Sequence, residues 1–148
     1  MIRAAPGSAR LTGALFAEAE LSDADLTGAD LRDGSLAAAR LERARLDEAQ
    51  LDRADLSDAI LRQASLARVQ ARAVMAMRTD FSGATARGST WVEAILDGAV
   101  LTGADFTEAD LSSAQLLAAR AEGATFDRPR GQRVQAVAQC NRLHTVRG

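Results

Sequence analysis

The chain has 148 residues and a mass of 15.6 kDa, the size of one domain. Hydrophobic residues make up 47% and charged residues 26%, which excludes a disordered chain; a 3% aromatic share, with no Tyr and one Trp, excludes a core built mainly on large rings. All 18 basic residues are Arg, and a net charge of −2 excludes a nucleic-acid binder that works by bulk charge.

Residues 1–8 form a lead-in that leaves the N-terminal end thinly capped. Arg3 is followed by no apolar core of signal-peptide length before Glu18, and no apolar run approaches the ~18–20 residues of a membrane span. Lone Cys140 has no partner for an internal disulfide. A soluble, cytoplasmic protein is expected.

From Leu11 to Phe126 a large apolar residue recurs at every fifth position. Of these 24 positions Leu fills 15, Phe 4, Trp 1 and Ala 4, without a phase slip. Two residues before each stands a small one, Ala in 19 cases, with Gly34, Val69, Val74, Thr79 and Ser89 as the exceptions. Period five suits neither regular element. On an α-helix successive members diverge by ~140°, so no stripe forms. On a continuous strand an odd period alternates faces. The chain must turn within each repeat, and the small and large residues, two apart, share one direction in a short extended piece. Gly13, Gly28, Gly83 and others two after the large residue suit the corner.

Ala24-Asp25-Leu26-Thr27-Gly28, with Ala29-Asp30-Leu31 and Ala104-Asp105-Phe106, resembles the consensus of the pentapeptide-repeat family. The resemblance covers residues 9–128. It implies an all-β fold: a right-handed quadrilateral parallel β-helix of about six coils, four repeats to a coil. At ~4.8 Å per coil the rod would be roughly 29 Å long.

Coil four, 69–88, shrinks its central residues to Ala71, Ala76 and Ala86 while Val69 and Val74 enlarge the flanking places. This reads as an exchange of volume between two inward sites. The rival is a short helix over Ala67 to Arg78, rich in Ala, Arg and Met. Beyond Pro129, residues 129–148 form a cap or tail with a short helix in 132–143. Its Val134, Val137, Cys140 and Leu143 are candidates for a lid on the last coil or for a homodimer contact, which the resemblance allows.

No catalytic, metal or cofactor site is expected. Cys140 and His144 share the tail with nothing to orient them. Asp25, Asp30, Asp55, Asp80, Asp105 and Asp110 stand just before the large residue, where a carboxylate bonds corner amides rather than acting as an acid–base pair. Four repeats per coil make coil four net basic through Arg72, Arg78 and Arg87, and coil five, 89–108, the most acidic. They also gather Leu15, Met75, Met77, Ile95 and Leu117 on one side as an apolar strip. Strip and basic belt together are the candidate partner-binding residues of a non-enzymatic, protein-binding or scaffold module, with no direct nucleic-acid or membrane contact. The alternative, carried by the resemblance, is a DNA-mimicking protein that protects a type II topoisomerase such as gyrase. The banded charge and the three arginines in mid-rod speak against it.

Overall fold

Each pentapeptide contributes one extended piece and one corner, and the bookkeeping of its five amides shows why. Leu56 donates its N–H to the Met75 carbonyl at 2.7 Å, and Asp58 to that of Met77 at 2.9 Å, both one coil on. Ala59 closes the turn on the Leu56 carbonyl at 3.0 Å, and Ile60 donates to Ala39, one coil back, at 2.9 Å. Four of five donors are thus met by backbone, and only the Ser57 amide is left for a side chain.

In the computed structural model, which describes residues 9–126, this pattern recurs from coil to coil, although the Val74 amide does not close its corner on the Ala71 carbonyl. Parallel bridges join residues twenty apart, from Arg10 with Asp30 to Asp105 with Thr125. Each circuit therefore takes four pentapeptides and turns four corners. At each corner the second residue after the large one has positive φ, between 62° and 69° at seven glycines and between 51° and 61° at sixteen other residues. A positive φ at the third residue of a turn closed by an i+3 to i bond is the type II geometry. Glycine adopts it without strain. Ala73, Arg53 and Glu48 adopt it against their Cβ atoms, held there by the bonds to both neighbouring coils.

The interior is lined almost wholly by apolar side chains. Leu31, Leu36, Leu41 and Leu46 are wholly buried, as are Ala39, Ala44, Ala49 and Ala54 beside them. The small places are tight: a Cβ on Gly34 would meet the Leu31 carbonyl at 3.0 Å and that of Ala14 at 3.1 Å.

Coil four is a regular coil, and the helix over Ala67 to Arg78 is not formed. Val69, Ala71, Val74 and Ala76 are all fully buried, as an exchange of volume requires. The exchange has a second cause. Ala71 lies one coil below Trp91, and Ala86 one coil below Phe106. The space they leave borders a cluster in which Phe81 meets Trp91 edge-on at 5.4 Å and Trp91 meets Phe106 at 5.9 Å, with Phe126 stacked on Phe106 at 5.6 Å. The two polar exceptions at the small places are satisfied. Thr79 Oγ1 donates to the Leu56 carbonyl at 2.6 Å; Ser89 Oγ accepts from Trp91 Nε1 at 2.7 Å and donates to the Ala86 carbonyl. The lead-in 1–8 and the tail calls on Val134, Val137, Cys140 and Leu143 lie outside the described residues.

Candidate interaction surface

Outward side chains divide into those that serve the corners and those that do not. All six aspartates before the large residue bond the leftover amide two residues on: Asp25 that of Thr27 at 3.1 Å, Asp30 that of Arg32 at 3.3 Å, and Asp55, Asp80, Asp105 and Asp110 those of Ser57, Ser82, Thr107 and Ser112 at 2.9–3.0 Å. A second device, which the sequence reading missed, reaches across coils. Asp47, Asp52 and Asp97 each cap the amide twenty residues ahead, of Ala67, Arg72 and Leu117, at 2.8–2.9 Å.

Corner residues also pair between coils. Arg43 holds Asp23 through Nε and Nη2 at 2.8 and 2.7 Å, Arg53 holds Asp33 at 2.7 and 2.8 Å, and Arg78 holds Asp58 at 2.7 and 2.6 Å. Arg68 reaches Glu48 at 2.6 Å. The guanidinium bonds hold the carboxyls of Asp23, Asp33 and Asp58 below their ordinary range, and Arg32 does the same to Asp30. Asp80 is lowered as well: burial opposes it, but the Ser82 hydroxyl and amide and Arg62 outweigh burial. The signal was present in the sequence, as acids at 23, 33, 48 and 58 with arginines twenty places on.

These pairs change the basic belt of coil four. Arg78 is engaged with Asp58, and Arg87 lies 3.5 Å from Asp105. Arg87 also stands on the corner after Ala86, two corners from the one after Ala76, so the winding does not bring it to the apolar strip. Arg72 flanks the strip at the corner before Val74.

The strip itself is formed in part. Met75 and Ile95 are bridged neighbours and Met77 sits beside Met75 in the same coil, whereas Leu117 stands on the corner one coil beyond Asp97, diagonal to Ile95, whose own bridged neighbour is Gln115. Met75 is 39% and Leu117 60% exposed, while Met77 and Ile95 are half-buried. Leu15, 85% exposed, belongs to the same ladder but is separated from Met75 by Ser35 and Asp55. Two shallow surface hollows, of about 360 and 310 Å³, lie elsewhere, one lined by Arg43, Arg62 and Gln63, the other by Arg68, Thr90 and Glu108. Among the described residues no cluster of His, Cys, Asp or Glu could hold a metal ion, and no helix is long and apolar enough to cross a membrane.

A family model described as Pentapeptide repeats matches in eight copies, over residues 8–33, 35–69, 79–116 and 94–128. Residues 70–78, which hold the shrunken Ala71 and Ala76, fall between the matches. No curated protein matches the chain. Among solved structures, the pentapeptide repeat protein Rfr23 from the cyanobacterium Cyanothece 51142 is 24% identical, with a TM-score of 0.62 over 66% of this chain and 67% of that one. QnrB1, a plasmid-mediated fluoroquinolone resistance protein, is 18% identical over 75% of this chain and 79% of that one, at a TM-score of 0.42. The first likeness bears on the fold alone; the second is too loose to bear on function.

Proposed function

The chain belongs to the pentapeptide-repeat family, in general one of non-enzymatic scaffolds, and from that premise we propose that it is a protein-binding module working through the outside of a rigid column. The observation that carries this reading is the strip of Met75, Met77, Ile95 and Leu117, because no corner bond or core contact calls for large apolar side chains on the outward face. A right-handed column of about six coils over 9–128, a helical cap in 129–148, a cytoplasmic setting and a homodimer contact at the C-terminal end belong to the same reading. A DNA-like surface finds little support. Its acids would have to present free negative charge along the rod, and here Asp23, Asp33, Glu48 and Asp58 are each paired with an arginine one coil away.

The test compares three forms of the chain as immobilised bait for proteins of the native host. These are the wild type, Met75→Asp with Ile95→Asp, and a control with Thr85→Asp and Thr107→Asp on the opposite side. The reading expects a partner held by wild type and control and lost by the strip variant, with all three melting alike. Equal capture by all three would show that the strip is not the site.

A further inference from the structure

We infer that the apolar strip is built for a cationic segment of another protein, a short stretch of chain that sets apolar side chains on Met75 and Ile95 and arginine or lysine beside them. The inference rests on the binding reading above and gives the partner its chemistry.

The carboxylates set into the strip carry it. On one corner of the column Met77, Asp97 and Leu117 follow one another, each a coil beyond the last. Asp97 is half-buried between the two apolar residues. Its Oδ1 accepts the Leu117 amide at 2.8 Å, and among the described residues no cation meets the carboxylate. Glu93 stands exposed on the preceding corner of the same coil, so two acids bound the side that bears Ile95. An occupant that covers both Met77 and Leu117 must also cover Asp97 and take water from it. That costs free energy unless the occupant brings a positive charge to the same place. A purely apolar or an acidic segment is therefore disfavoured on this strip, and a cationic one is favoured.

Elsewhere the column neutralises its corner acids itself. Asp23, Asp33, Glu48 and Asp58 each meet an arginine twenty residues on. The places twenty on from Glu93 and Asp97 hold Ser113 and Leu117, and those twenty back hold Ala73 and Met77. Coil five, 89–108, has no basic residue of its own. Arg78, beside Met77, is turned back onto Asp58 at 2.7 and 2.6 Å. Arg72 stands at the coil-four edge of the strip, one coil before Val92, so the positive side chains of the occupant belong over coil five.

The test selects random short peptides displayed on phage against the immobilised full-length chain, then measures the affinity of the recovered peptides by fluorescence anisotropy. The expected peptides combine arginine or lysine with leucine, methionine or phenylalanine. Met75→Asp with Ile95→Asp should abolish their binding. Glu93→Gln with Asp97→Asn should weaken it about five- to tenfold and flatten its salt dependence. An asparagine at 97 keeps an oxygen for the Leu117 amide, so the melt of this variant should match wild type. Peptides that are lost on the first variant but bind the second as they bind wild type would overturn the inference and leave the binding reading standing. Recovery of no peptide that the first variant loses would sink both. Adsorption to neutral phosphatidylcholine vesicles, or self-association, that the first variant abolishes would make a lipid surface or a second copy the occupant and overturn the inference equally.

Discussion

Leu56 and Ala54 illustrate how little freedom one inward pair has. Leu56 is wholly buried, and its removal to Ala should cost about 2–5 kcal/mol. Ala54 is equally buried, in a place where a glycine's missing Cβ at 34 already faces carbonyls at 3.0 and 3.1 Å. Ala54→Leu should therefore be at least as harmful as Leu56→Ala, and a wild-type melting temperature for Ala54→Leu would refute the crowding argument. Ser89 is the residue-scale case the sequence did not explain. Its hydroxyl is the acceptor for the Trp91 indole N–H inside the ring cluster. Ser89→Ala leaves that donor without a partner and should cost about 1–3 kcal/mol, read from the thermal transition of Trp91 emission. An unchanged transition would mean that the indole finds another acceptor.

At the scale of the corner, the pentapeptide needs a side chain for one amide in five, and the aspartates before the large residue supply it. That much was legible from Asp25, Asp55 and Asp105 in their fixed place. The pairs between coils were not, because Arg43 and Asp23 become neighbours only once the circuit length is fixed at twenty residues. Arg53 in the left-handed region is likewise invisible to a rule that expects glycine there; tertiary bonds on both sides overrule the local preference. The corner carboxylates give the column an acid limit. Asp23, Asp30, Asp33 and Asp58 have folded values below the ordinary one, so their stabilisation is complete above the unfolded value of about 3.9 and is lost as pH falls through the folded values. A melting temperature level from pH 7 to about 5 and declining below about pH 4 is expected. The pairs are exposed and screened by solvent, so the decline should be gradual. A rise in stability on acidification through that window would contradict the assignment.

Over the whole molecule, the register was readable because every large residue from Leu11 to Phe126 keeps one phase, and coil four obeys it despite its alanines. The ring cluster was hidden. Phe81, Trp91 and Phe106 lie on three different sides and meet only because the interior is narrow enough for rings to reach across it. The surface was half legible. Counting by twenty placed Met75 beside Ile95, but Leu15 lies too far along the ladder and Arg87 too far round the column to share their patch. Every one of these placements follows from the circuit length. Nuclear Overhauser contacts along the ladder Leu15, Ser35, Asp55, Met75, Ile95 and Gln115 measure it directly. Cross-peaks joining each residue to the one twenty places on are the expected result, whereas contacts at three and four places, or at any other constant interval, would contradict the column itself.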